Sequence, residues 1–189
     1  MVPMKTINFE VLFHRLNSAL SEIGQQLELV CCGGYVMQLH GYKTTADVDA
    51  FFKTNAQIDK AIKKVGDEFG INMPDELWLN NSVANLNPIP PAVHQEPVLQ
   101  LSNLTVKVVD IVYLMGMKLH SGRNRDIKDV AAVLTNDADK APLELFETLR
   151  AIGFNIDIST LLEAFGLARG LKWLSDFYMA HELELKKYF

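Results

Sequence analysis

The sequence predicts an α/β (α+β) fold: a small mixed β-sheet flanked by helices, followed by a C-terminal helical lobe. Three observations predict it. A short apolar run, Leu29-Val30-Cys31-Cys32, ends abruptly at Gly33-Gly34, as a buried strand entering a tight turn does. Helically spaced apolar residues on either side of that run alternate with strand-like stretches near residues 47–51, 98–101 and 104–109. Beyond Pro142 only helical spacing remains.

Each element follows from its residues. From Asn8 to Ile23, Phe9, Leu12, Phe13, Leu16, Leu20 and Ile23 recur three or four apart, giving an amphipathic helix with its apolar face on the sheet. After the first strand, Tyr35, Val36 and Leu39 continue helically until Gly41, placed to stop a helix one residue past its cap. Val48, Ala50 and Phe51 form a strand around Asp47 and Asp49, and a helix from Thr54 to Phe69 is capped by Asn55. Pro88, Pro90, Pro91 and Pro97 mark a loop, since proline brings no ladder N–H. Val98–Leu101 and Leu104–Val109 are expected as strands joined at Ser102-Asn103. A helix carrying Leu114, Met117 and Lys118 breaks at Ser121-Gly122; the next, with Asn124 as its N-cap, buries Ile127, Val130, Ala131 and Leu134. The rest is helical, through Leu143, Phe146 and Leu149, then Leu161, Leu162, Phe165 and Leu167, then Leu171 to Phe189. In that last stretch Leu171, Leu174, Phe177, Tyr178 and His181 keep helical spacing and read as a packing face rather than a stacking platform. The expected division is a sheet domain over residues 1–135 and a helical lobe over 136–189 packed on it.

The chemistry lies where the first strand and the aspartates meet. Glycine at 33 and 34 lets the backbone approach a ligand, and the N–H groups of a helix start suit phosphate. Asp47 and Asp49, two apart in a strand, face one way with Cα atoms about 6.6 Å apart. Converging carboxylates of this kind hold hard cations, and Mg²⁺ takes one or two carboxylates plus the phosphate oxygens of a substrate. Asp126 and Asp129, three apart on a helix, flank its buried face, and Arg123, Arg125 and Lys128 add positive charge beside Lys118.

Gly33-Gly34 followed by Lys43-Thr44-Thr45-Ala46-Asp47-Val48-Asp49 resembles the motif of the polymerase-beta-like nucleotidyltransferase superfamily. Within it the stretch looks most like the small bacterial branch related to abortive-infection and type IV toxin nucleotidyltransferases. Lys43 and Thr45 match the basic residue and threonine that precede the first aspartate there, and Lys118 with Asp126 or Asp129 matches its second block. The resemblance implies a catalytic set of Asp47, Asp49, Lys118, Asp126 and Asp129. It also implies nucleotide contacts at Gly33, Gly34, Lys43, Thr45, Arg123 and Arg125, and Mg²⁺ (or Mn²⁺) on Asp47 and Asp49. Pro74-Asp75-Glu76-Leu77-Trp78-Leu79-Asn80-Asn81 is similar to a tryptophan-leucine-asparagine-aspartate element of the branch, with Asn81 in place of the aspartate. A third carboxylate from a later strand is usual in the superfamily, and here Glu96 and Asp110 stand at strand ends.

The implied activity is transfer of a nucleotide from an NTP to a hydroxyl of an RNA end, a protein or a small molecule, in a toxin or phage-defence setting with an antitoxin partner. A catalytically degenerate module that binds nucleotide or a protein partner is the alternative. Composition narrows the field further. A net charge of −5 and a pI near 5.5 argue against nonspecific coating of nucleic acid. No apolar run is long enough to span a bilayer and the N-terminus lacks a secretory core, so a soluble, cytoplasmic protein is expected. Adjacent Cys31 and Cys32 point to opposite faces and read as core, not as a disulfide or zinc site. His40 and His120 read as surface or packing residues, and Met37 and Gln38 break the spacing of a dinucleotide-binding glycine motif.

Overall fold

The computed structural model describes residues 7–74, 76–137 and 139–188. The chain divides into two compact units, the first ending at Asp110 and the second beginning at Ile111.

The first unit is a five-stranded mixed sheet with helices. Helix α1 (Phe9–Glu22) starts at Asn8, whose side chain accepts the N–H of Glu10. Strand β1 (Leu27–Cys32) runs into α2 (Gly33–Leu39), which ends at His40 with Gly41 beyond it at φ 77°. Strand β2 (Val48–Phe51) leads to α3 (Ala56–Phe69), capped by Asn55 through the N–H groups of Gln57 and Ile58. Then come β3 (Leu79–Asn80), 3₁₀ turns at Ser82–Asn85 and Ala92–His94, β4 (Gln95–Gln100) and β5 (Leu104–Val109). The strand order is β3-β2-β1-β5-β4, with β1/β5 and β2/β3 parallel and β1/β2 and β4/β5 antiparallel. Leu12, Phe13, Leu16 and Leu20 of α1 are buried, as are Leu29 and Val106 of the sheet. Trp78 closes this core between the rings of Phe9 and Phe13, and its indole N–H donates to the Ile62 carbonyl at 2.9 Å.

One expectation is corrected here. Pro97 sits inside β4, which begins at Gln95 rather than Val98. The strand is at the sheet edge and its register shifts between Pro97 and Leu99, so the missing N–H interrupts little of the ladder. Asp75, part of the quoted middle motif, lies outside the described residues, whereas the short β3 that follows was not expected from sequence.

The second unit contains helices α4 (Ile111–Ser121), α5 (Asn124–Asn136), α6 (Pro142–Ile152), α7 (Ile158–Arg169), α8 (Leu171–Ala180) and α9 (Glu182–Leu185). Val130, Leu134, Leu149, Leu161, Leu162 and Phe165 make its core. Asn124 is the first residue of α5 rather than its cap; that place falls to Arg123, whose extended backbone precedes the helix without a capping side-chain bond. Helix α8 packs on α7 where Gly166 admits Leu174, yet none of its own residues is buried, and Leu171 is 81% exposed. The face read as packing is thus half open.

Candidate active site

In the first unit the glycine turn is built around the aspartates. Gly33 leaves β1 at φ 64°, a left-handed conformation that suits glycine. A Cβ there would stand 2.7 Å from Asp49 Oδ2, and one on Gly34 would stand 2.5 Å from Thr45 Oγ1. Thr45 Oγ1 donates to Asp47 Oδ1 at 2.8 Å. The loop bearing Thr45 is tied back to α2, because Thr45 N–H donates to Gln38 Oε1 at 2.9 Å while Gln38 Nε2 donates to the Ile7 carbonyl. Side chains at 33 and 34 would therefore occupy the space against the Asp49 carboxylate and the Thr45–Asp47 pair. Lys43 is exposed on the same loop.

Strand pairing carries the row further. Cys32 is abreast of Asp49, and Asn80 of β3 is abreast of Asp49 on its other side. Asn80 Oδ1 accepts from the N–H and the hydroxyl of Ser82, but its Nδ2 is buried with no hydrogen-bond partner. An unmet buried donor costs about 1–3 kcal/mol. Burial raises the Cys31 thiol well above its ordinary range, with the Cys32 and Asp49 charges adding to it, and the two buried cysteines form no disulfide. The candidate third carboxylates are placed otherwise: Glu96 is exposed on the edge strand, and Asp110 Oδ2 is 2.7 Å from His94 Nδ1. Among the described residues, no three His, Cys, Asp or Glu side chains form a ready-made metal cage. Two carboxylates close to a glycine turn fit Mg²⁺, which draws its remaining oxygens from water and substrate.

In the second unit the expected lysine and aspartates also come together, late in α4 and early in α5. Lys118 Nζ donates to Asp126 Oδ1 at 3.1 Å and to Asp129 Oδ2 at 2.6 Å. The other oxygen of Asp126 accepts from Ser121 Oγ at 2.7 Å and Arg123 Nε at 2.5 Å. Lys118 and Asp126 are both buried. Burial opposes ionisation of Asp126, yet the Ser121 hydrogen bond, the Lys118 charge and the Arg123 hydrogen bond outweigh it and hold its carboxyl below the usual range. Arg125 is exposed on the first turn of α5, and exposed His120 donates from Nδ1 to the Asn155 carbonyl, 2.8 Å away.

Sequence reading missed Gln38 and Asn80. Gln38 gives no local signal, since its role depends on the loop folding back. Asn80 stood inside the quoted Trp-Leu-Asn motif, but its importance comes from lying beside Asp49, a pairing set by a two-residue strand.

The five-stranded mixed sheet thus sets a glycine turn against Asp49 of β2, while Asp47, expected within that strand, lies just before it. The chain belongs to the family described as nucleotidyltransferase of unknown function (DUF6036), which matches residues 8–160, from the cap of α1 into α7. No curated protein matches it. Among solved structures it is similar to an antigenic nucleotidyltransferase-like protein from Paracoccidioides brasiliensis, at 12% identity and a TM-score of 0.36, over 97% of this chain and 93% of that one. A likeness at that level carries no argument about this chain.

Proposed function

We propose that the chain moves a nucleotide from an NTP to a hydroxyl acceptor with the help of Mg²⁺ or Mn²⁺. The observation that carries this reading is the close fit of Gly33 to Asp49 and of Gly34 to the Thr45–Asp47 pair. Asp47 and Asp49 hold the metal, which when bound neutralises charge on the reacting phosphate. Gly33 and Gly34 leave the phosphates room, with Lys43 and Thr45 on the adjoining loop. The acceptor hydroxyl, oriented or deprotonated by Asp126 or Asp129, bonds through its oxygen to the α-phosphorus, the bond to pyrophosphate breaks, and the hydroxyl proton passes to that carboxylate or to water. Lys118, Arg123 and Arg125 neutralise the triphosphate, for which Lys118 exchanges one of its carboxylate partners for a phosphate oxygen. An RNA end, a protein or a small molecule is the acceptor, in the cytoplasm where NTPs are supplied. A toxin role with an antitoxin partner belongs to this reading, and growth arrest on overexpression that Asp47→Ala abolishes is its expected sign.

The test is incubation of the purified protein with each labelled NTP, Mg²⁺ or Mn²⁺, and total RNA, total protein or small hydroxyl compounds. Label transferred by the wild type and not by Asp47→Ala/Asp49→Ala is expected. Metal-independent nucleotide binding without transfer to any acceptor would leave a binding module instead.

A further inference from the structure

The sheet face that carries Asp49 extends along β1 and β2 away from the glycine turn. Cys32 is abreast of Asp49 and Val30 of Phe51, so strand alternation puts all four on one face. A cavity of about 380 Å³ lies over this face, lined by apolar Val30, Phe51, Ala84 and Ile89 and by polar Lys53 and Gln95. Gln95 Nε2 donates to the Pro90 carbonyl, which ties down the proline loop bearing Ile89. Asn80 adds a second, independent feature. Its Oδ1 anchors Ser82 at the start of the turn that carries Ala84, while its Nδ2, in the row of Asp49, is a buried donor with no acceptor.

Size and chemistry select the occupant. The volume falls at the low end of small-molecule pockets, roughly 300–1,000 Å³, which suits a nucleoside. Apolar walls take the faces of a planar base, and the unmet Asn80 donor takes an oxygen. With phosphates at Gly33-Gly34 and Asp49, the sugar and base extend along β2 toward Phe51, about 6.6 Å further on.

We infer that this groove is the nucleoside subsite, in which the base lies against Val30, Phe51 and Ile89 and Asn80 Nδ2 donates to a sugar hydroxyl oxygen. The inference rests on the nucleotidyltransferase reading above. Calorimetry with the full chain and Mg²⁺ tests it, using the four NTPs, their 2′,3′-dideoxy analogues and inorganic tripolyphosphate. Ala84→Trp fills the groove and Ile89→Ser strips its wall. Both positions are exposed, so either variant carries the test if the other fails to fold. Each is expected to weaken the preferred NTP about tenfold, the scale of one lost hydrogen bond or apolar contact, with tripolyphosphate binding unchanged. Asn80→Ala is expected to bring the ratio of NTP to dideoxy-NTP affinity to about one. If NTP and tripolyphosphate weaken alike, or NTP binding is untouched in both groove variants, the groove is not the subsite while the phosphate reading stands. If the wild type binds neither NTP nor tripolyphosphate, both readings fall.

Discussion

A single methyl group at residues 33 and 34 separates backbone strain from ligand space. Gly24 and Gly33 have nearly the same left-handed φ, 63° and 64°, but a Cβ on Gly24 meets nothing within 4 Å whereas one on Gly33 meets Asp49 Oδ2. Either change to alanine should cost about 1–2 kcal/mol of strain, or roughly 2–8 °C in melting temperature for a chain this long. Only Gly33→Ala should also lose metal-dependent NTP binding. Gly34 is not left-handed, but its added Cβ would stand 2.5 Å from Thr45 Oγ1 and 2.8 Å from Thr45 Cβ, so Gly34→Ala should also melt below the wild type and bind poorly, because that Cβ displaces Thr45 from Asp47. Equal NTP affinity for the Gly24 and Gly33 variants would remove the glycine turn from the site. These residues were legible in the sequence because Gly33-Gly34 and Asp47-x-Asp49 are local patterns whose chemistry survives any detail of packing. Gln38 and Asn80 were not, since one works through a returning loop and the other through a strand pairing that only the fold supplies.

At the scale of elements, the α4–α5 corner is held by charge. Lys118, Asp126 and Asp129 are 8%, 5% and 15% exposed, so removing the cation strands carboxylates away from water. Lys118→Met should cost toward the lower end of about 3–5 kcal/mol, since Ser121 and Arg123 still bond Asp126. The pH dependence has a definite sign. The folded Asp126 carboxyl is depressed below the ordinary carboxylate range, so its contribution is present above about pH 4 and lost as pH falls through the lower folded value. Asp126→Asn should therefore melt below the wild type at pH 7, with the gap closing as pH drops beneath about 4. A gap that persists unchanged at pH 2.5 would show that the carboxylate's charge is not what stabilises the corner. Helix positions here were readable from apolar spacing, whereas the pairing of Lys118 with Asp126 or Asp129 came from the resemblance of the second block. The cap of α5 and the start of β4 were not: Asn124 is an ordinary cap type placed one residue too late, and Pro97 reads as a breaker until an edge position makes it harmless.

For the whole molecule, the mixed sheet and the helical second half follow from where apolar spacing changes period, and the short β3 escapes because two residues carry no period at all. The residues proposed to meet one triphosphate fall in both compact units: Asp47 and Asp49 in the first, Lys118, Arg123 and Arg125 in the second. Mass action turns that division into a measurement. A ligand at 100 times its Kd stabilises what it binds by about 2.7 kcal/mol, or roughly 5–11 °C at this chain length. A ligand that touches only one unit stabilises that unit alone, whereas one held by both raises every unfolding transition. Calorimetric melting with Mg²⁺ and saturating NTP should therefore raise all transitions of the wild type, and Asp49→Asn should abolish the metal-dependent part of the shift. An Lys118→Met chain, corrected for its lower starting stability, should show a smaller shift than the wild type. If the shift is full in that variant, the triphosphate rests on the first unit alone, and the Lys118 network is a structural clamp for α4 and α5.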